Sequence, residues 1–364
     1  MLFHYQGKDY EFERYPQKEN RSLQAWSAVD EHFLRYQAAE NPILDTPLLI
    51  YNDRFGFLTC LQLPKATHSI LTWRSQQVAL EFHCQKNQIA NNNWSSSSPL
   101  VPLQHPVQEA WIKLPKSLEL LQLFLQQLSP QLRPGAKVVI GFMTRHFSPQ
   151  LLSIASLYFE QVEQSRAWKK SRLLILQHPK PCIERTLQHQ LIWKNLTFKQ
   201  HYGVFSAKHI DYASQFLLEQ LPTLTPRAKV LDLACGNGVL GIAATQNVAE
   251  VELHLLDDFN VALASTQLNL GEQEAQLHWD YNLAQLPTAY FDYILCNPPF
   301  HTEHEVTTTI AKQLFKGAKQ CLGSNGQFWM VANRHLNYKS FLGTLFQNIS
   351  IVQQNKKFII YRCQ

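Results

Sequence analysis

The sequence has no C-x-x-C pair, no H-E-x-x-H, no apolar stretch approaching the roughly 20 residues that a bilayer crossing requires, and no apolar segment behind its start, MLFHYQGKDYEFERY. These absences argue against a disulfide framework, a zinc site, a membrane span and a secretion signal. The expectation is a cytosolic protein without a metal. Its seven widely spaced cysteines, Cys60, Cys84, Cys182, Cys235, Cys296, Cys321 and Cys363, are expected to be free buried thiols.

What is present is an ordinary globular composition: 364 residues, 45% hydrophobic and 17% charged. That length suits two or three domains, each with its own core. The net charge of +5 is unevenly placed. Residues 1–200 carry 22 Lys and Arg against 15 Asp and Glu, a net +7, and residues 201–364 carry 11 against 13, a net −2. Such asymmetry suggests that one half handles a polyanion and the other half does something else.

The second half alternates strand and helix patterns. Residues 228–234, 251–257, 290–300, 326–333 and 356–363 read as strands, and 211–221, 259–270 and 307–322 as helices. This order predicts a mostly parallel sheet with ligands at the carboxyl ends of the strands. Asp232, Gly236 and Gly238 fall where the first strand turns into a helix, so backbone can approach a ligand closely there. Asp257, 25 residues after Asp232, ends the second strand, the place for a carboxylate that accepts bonds from both ribose hydroxyls. Together with Gly241 the loop reads G-N-G-V-L-G, so a nicotinamide dehydrogenase is the first rival reading.

The next strand ends in Asn297-Pro298-Pro299-Phe300. Two consecutive prolines remove two backbone donors and fix φ, which leaves rigid, outward carbonyls. An exocyclic amine such as guanine N2 is a poor nucleophile because its lone pair is delocalised into the ring. Bonds from its two hydrogens to the Asn297 side-chain oxygen and the Pro298 carbonyl would favour a pyramidal nitrogen and aim the lone pair at a methyl donor. Phe300 would stack on a flipped base.

D-L-A-C-G-N-G followed by I-L-C-N-P-P-F-H resembles the S-adenosylmethionine-dependent N2-guanine methyltransferases of ribosomal RNA. With S-L-Q-A-W-S-A-V-D-E (22–31), W-K-K-S-R-L (168–173), G-V-F-S (203–206) and V-A-N-R-H-L-N-Y (331–338), the whole chain most resembles the ribosomal RNA large subunit methyltransferase G family. A sister family acting on the small subunit shares the catalytic half. The resemblance implies methyl transfer from S-adenosylmethionine to guanine N2 in 23S rRNA, at guanine 1835. It also implies that Asp232, Gly236 and Gly238 line the methionine and ribose end of the cofactor, that Asp257 holds the ribose, that Asp280 lies near the adenine amine, and that Phe205 and Ser206 close the pocket. Ala234 departs from the family pattern, where glycine is common. Adenine-N6 or glutamine-N5 methyl transfer, the 16S rRNA activity, and a non-catalytic RNA-binding protein are the alternatives.

The first half reads as a second copy of the same unit. Residues 48–58 align without gaps on 230–240, 110–116 on 293–299, 138–147 on 328–336 with one gap, and Lys169-Lys170 on Lys356-Lys357, at offsets of 182, 183, 189 and 187 residues. Ile50 stands at Asp232, Arg54 at Gly236 and Leu114 at Asn297, and only Gly56 survives opposite Gly238. The fold expectation is therefore α/β: two tandem Rossmann-like methyltransferase domains, the N-terminal one degenerate. Residues 1–176 form a degenerate, RNA-binding copy, 177–202 a linker and hairpin, and 203–364 the catalytic domain. Arg145, Arg166, Lys169, Lys170 and Arg172 are candidate contacts to an RNA backbone. The Asn/Ser-rich segment 87–102 reads as a loop or a local insertion inside the first domain, and the protein is expected to act as a monomer on naked or partly assembled 23S rRNA.

Overall fold

The computed structural model describes residues 1–15, 23–40, 44–63, 65–181, 183–299, 301–302, 305–306 and 308–364. The chain divides into two compact units, Met1–Leu187 and Gln188–Gln364. Each contains one seven-stranded sheet with helices on its faces.

In the first unit, beside an N-terminal hairpin of Leu2–Tyr5 and Lys8–Glu11, the strands of the sheet are β1 (Leu48–Tyr51), β2 (Thr67–Ile70), β3 (Trp94–Ser97), β4 (Val107–Lys113), β5 (Leu132–Met143), β6 (Phe159–Gln164) and β7 (Ser171–Pro179). In the second they are β8 (Lys229–Leu233), β9 (Glu252–Asp257), β10 (Ala275–Trp279), β11 (Phe291–Cys296), β12 (Leu322–Asn333), β13 (Ile349–Gln354) and β14 (Phe358–Cys363). The sheet orders are β3-β2-β1-β4-β5-β7-β6 and β10-β9-β8-β11-β12-β14-β13. Adding seven to each strand number converts one order into the other. In both sheets the last strand of the chain pairs antiparallel with its two neighbours and the other pairings are parallel.

The helices repeat as well. α1 (Ala28–Glu40), α2 (Phe57–Gln62), α3 (Arg74–Lys86), α4 (Leu118–Leu128) and α5 (Pro149–Tyr158) correspond in order to α6 (Tyr212–Leu218), α7 (Val239–Thr245), α8 (Asn260–Leu270), α9 (Thr309–Cys321) and α10 (Lys339–Leu342). Both sheets are covered on two faces, which is why their central strands are continuous apolar runs. Alternate residues of β8 and β11 go to opposite layers: Leu231, Leu233, Ile294 and Cys296 to one buried cluster, Val230 and Leu295 to the other.

Two expectations are corrected. Segment 87–102 is not only a loop, because β3 lies in it: its edge position needs few apolar residues, and His68 bonds Ser95 and Ser97 at 2.7 and 2.9 Å. The segment 177–202 is divided between the units. β7 runs on to Pro179, and the hairpin Gln188–Trp193 with Leu196–His201 buries Leu191 and Phe198 in the core of the second unit. It is part of that domain and not a spacer. The six described cysteines are buried and unbridged, and Cys182 lies outside the described residues. No described helix is long and apolar enough to cross a membrane.

Candidate active site

Four adjacent parallel strands of the second unit end on one edge of its sheet, and each delivers one candidate residue there. β8 leads into the turn Ala234–Gly238, β9 ends at Asp257, β10 leads to Asp280, and β11 leads to Asn297. The register pairs Leu233 with both Leu256 and Cys296, and Asp257 with Trp279, so these strand ends lie level.

The turn after β8 is shaped by left-handed backbone. Gly236 has φ +59° with open space where a Cβ would stand, and Gly238, at φ +81°, caps α7 only 2.9 Å from Thr266 Cγ2 at the position a Cβ would take. Ala234 shares this conformation at φ +59°. An L residue bears a cost of about 1–2 kcal/mol there. Gly241 has a packing role: a Cβ would lie 3.0 Å from that of Asp232. The G-x-G-x-x-G spacing thus reflects a tight turn and close helix–strand packing, needs shared by many nucleotide folds.

Asp257 holds this turn in place. Its Oδ2 accepts from Gly236 N at 2.9 Å and its Oδ1 from Phe259 N at 2.9 Å. Burial raises its pKa to about 6 despite these two bonds. Its backbone carbonyl accepts from Asp280 N at 3.2 Å, and Asp280 Oδ1 accepts from Tyr281 N at 2.7 Å. Asp232 is wholly buried: Oδ2 accepts from Gly241 N at 2.8 Å, while Oδ1 has no partner. Burial pushes its carboxyl up to about 8, so it is mostly neutral near pH 7.

Asn297 is the best-constrained side chain of the group. Its Nδ2 donates to Asp211 Oδ2 at 3.1 Å and to Ser214 Oγ at 2.9 Å. The same Asp211 oxygen caps α6, accepting from Ala213 N at 3.0 Å and Ser214 N at 3.3 Å. An ionised carboxylate only accepts, so the amide is oriented with nitrogen toward α6 and oxygen away from it. Asn297 Oδ1 is buried and without a partner. An unsatisfied buried oxygen costs about 1–3 kcal/mol, which a donor on an incoming ligand would relieve. Pro298, which follows, is buried, Pro299 is exposed, and Phe300 lies outside the described residues.

The segment before α6 reaches the same turn through a residue that no pattern in the sequence singles out. Gln200, buried on the hairpin, donates from Nε2 toward the carbonyls of Val204 and Phe205 at 3.1 Å and of Ser206 at 3.3 Å. Its Oε1 accepts from Asn237 Nδ2 at 3.0 Å. Phe205 is 67% exposed, and Ser206, at φ +64°, donates to His209 O. Asn269 adds a second tie, bonding Asn237 O and both backbone groups of Lys199 at 2.6–2.9 Å. Asp211, Ser214, Gln200 and Asn269 are absent from the sequence reading because their ties to the site depend on contacts 32 to 86 positions away.

The first unit keeps the left-handed turn, has lost the acid at Asp232 and the amide at Asn297, and has rebuilt the joints between its elements. Gly56 caps α2 at φ +69°, and Asn52 has φ +59°, as Ala234 does. The α2 amide of Thr59, counterpart of Gly241, is taken at 2.8 Å by Asp53, because Ile50 offers no carboxylate. At the end of β4, Lys113 pairs with the fully buried Asp30 of α1 at 2.7 Å, where the second unit joins Asn297 to α6.

A doubly wound sheet with a glycine turn, a buried carboxylate ending the second strand and an Asn-Pro-Pro corner at its carboxyl edge is that of a Rossmann-like methyltransferase, and residues 195–362 match the methyltransferase small domain family. Residues 1–180 match the RLMG N-terminal domain. The chain is 34% identical over 375 residues to the ribosomal RNA large subunit methyltransferase G of Shewanella oneidensis, with 98% of each chain covered. It is 34% identical over 360 residues to that of Stutzerimonas stutzeri, covering 96% of this chain and 95% of the other. The chain belongs to the ribosomal RNA large subunit methyltransferase G family. Its fold is also that of the T. thermophilus 16S rRNA N2 G1207 methyltransferase, solved with AdoMet and guanosine, at 20% identity and a TM-score of 0.77 over 100% of this chain and 97% of the other.

Proposed function

We propose that the chain transfers a methyl group from S-adenosylmethionine to the exocyclic N2 of a guanine in 23S rRNA, giving N2-methylguanosine, with guanine 1835 as the position. Asn297 carries this reading. Its nitrogen is committed to Asp211 and Ser214, and its buried oxygen is left to accept one N2 hydrogen. The Pro298 carbonyl would take the other. Two acceptors in fixed positions draw N2 toward a pyramidal geometry and hold its lone pair on line, a positioning effect that requires no strong base. Phe300 would stack on the extracted base.

The cofactor fits the residues present. S-adenosylmethionine supplies an electrophilic methyl group. Open space at Gly236 and the unpartnered Asp232 Oδ1 receive its methionine and ribose end together with Gly238, Asp257 holds the ribose hydroxyls, and Asp280 stands next along the edge toward the adenine amine. Phe205 and Ser206, tied to the turn by Gln200, close the pocket. The protein would work in the cytoplasm as a monomer on naked or partly assembled RNA, because the base must leave its stack to reach the edge of the sheet.

The test is incubation with labelled S-adenosylmethionine and separated 23S and 16S rRNA, followed by nucleoside digestion. N2-methylguanosine in 23S rRNA alone is the expected product. Label in 16S rRNA, in N6-methyladenosine or in protein refutes the assignment, and a comparison of deproteinised RNA with assembled subunits decides the form of the substrate.

A further inference from the structure

Asn297 stands beside an exposed aromatic and basic corner that the methyl-transfer chemistry does not use. Tyr212, the residue after Asp211, is 57% exposed. His209, also exposed, packs against it with ring centroids 4.5 Å apart. Lys357 Nζ lies 6.0 Å from the Tyr212 centroid. Its backbone carbonyl accepts from Arg334 N at 2.9 Å, which joins the turn between β13 and β14 to the end of β12. Arg334, Lys356 and Lys357 are all exposed, and among the described residues no carboxylate pairs with them. β11 and β12 run parallel with Cys296 opposite Met330, so Arg334 and Asn297 emerge from the same edge of the sheet.

The first unit supplies an internal comparison. It has lost the counterparts of Asp232, Gly236 and Asn297, yet it too sets cations beside an aromatic ring at the turn that precedes its last strand. Thr144 N donates to Lys170 O at 2.8 Å, as Arg334 N does to Lys357 O, with Arg145 one residue further on and Lys169 paired with Glu31 at 2.7 Å. There the ring is Trp168, with Lys169 4.7 Å and Arg35 5.7 Å from its centroid. Cations beside an aromatic face outlast the chemistry, so they answer to a different requirement.

We propose that the Tyr212–Lys357 corner of the second unit is a binding site for single-stranded RNA next to the target guanine. Tyr212 stacks a neighbouring base, and Lys356, Lys357 and Arg334 hold the phosphates on that side. Stacking is sequence-tolerant and suits a strand already opened by extraction of one base. This inference rests on the methyl transfer proposed above and adds to it where the flanking strand lies.

The measurements are KM for deproteinised 23S rRNA during methyl transfer, RNA Kd by filter binding in an Asn297→Ala background, and Kd for S-adenosylmethionine. Tyr212→Leu should raise the RNA KM about tenfold or more and leave cofactor binding unchanged, with Tyr212→Phe near wild type because it keeps the stacking face. Lys356→Gln with Lys357→Gln should flatten the slope of log K against log salt by about 1.4, the contribution of two single-strand phosphate contacts. Wild-type RNA affinity and salt slope in these variants overturn the proposal. So does a loss of cofactor affinity equal to the loss for RNA. If the wild type leaves guanine N2 unmodified, the proposed function fails, while the filter-binding arm still judges the corner.

Discussion

At the scale of single residues, the chemistry depends on which way one amide points. Asp211 and Ser214 leave Asn297 one orientation, with its oxygen buried and unsatisfied. Asn297→Ala should abolish label transfer from S-adenosylmethionine to 23S rRNA and leave S-adenosylmethionine Kd within about twofold, since the residue acts on the nucleophile. Asp211→Ser keeps a good helix cap but is too short to hold Asn297. It should lower kcat about tenfold with cofactor Kd unchanged, and Asp211→Asn, which retains the accepting oxygen, should restore it. A second residue-scale prediction concerns pH. Burial raises Asp257 to about 6 in the cofactor-free site, so at lower pH it is protonated there. Ribose hydroxyls favour the ionised acceptor, hence the Asp257 contribution to cofactor affinity should be complete by pH 7 and fall by up to tenfold per unit below 6. Equilibrium dialysis from pH 5 to 8 measures this, and Asp257→Asn should remove the dependence. Of this site the sequence shows Asn297, Asp232, Asp257 and the glycines, because strand ends and turns announce themselves locally. Asp211 and Gln200 are silent because nothing near them in the chain states what they bond.

At the scale of elements, central strands are legible and edge strands are not. β8, β9 and β11 are apolar runs buried on both faces, whereas β10 and β13 at the two edges of the second sheet are half polar and escape pattern reading. Their counterparts β3 and β6 are hidden for the same reason, and β3 passes for a serine-rich loop. The strand at 290–300 ends at Cys296, four residues early, because Asn297 turns toward α6 and the prolines cannot continue the ladder. Binding at one sheet edge has an element-level signature. Hydrogen exchange with S-adenosylmethionine should slow in 234–238 and 257–259, where backbone amides form the cradle, and stay unchanged in the matching turn 52–56 of the first unit. Slowing in both turns would show that the first copy still binds the cofactor.

At the scale of the whole molecule, the charge asymmetry sharpens when the chain is cut at its structural boundary. Met1–Leu187 carries 20 Lys and Arg against 15 Asp and Glu, and Gln188–Gln364 carries 13 of each, so the whole +5 belongs to the first unit. The catalytic copy is neutral, so in the proposed complex it would offer a small number of placed cations while the basic copy would offer a field. Full-length Asn297→Ala should therefore bind 23S rRNA within about twofold of wild type at equal salt, as measured by filter binding. The relocated carboxylate of the first copy carries a further consequence. Ile50→Asp would return an acid to the strand, but Asp53 already holds the Thr59 amide it would need, and the newcomer would be interred uncompensated among apolar neighbours. Leu114→Asn would meet a helix end already committed to Lys113. Each position opposite a candidate site residue is now guarded by the contacts of its neighbours, so single substitutions toward the second unit's residues would not build a site in this half; several changes made together would be needed.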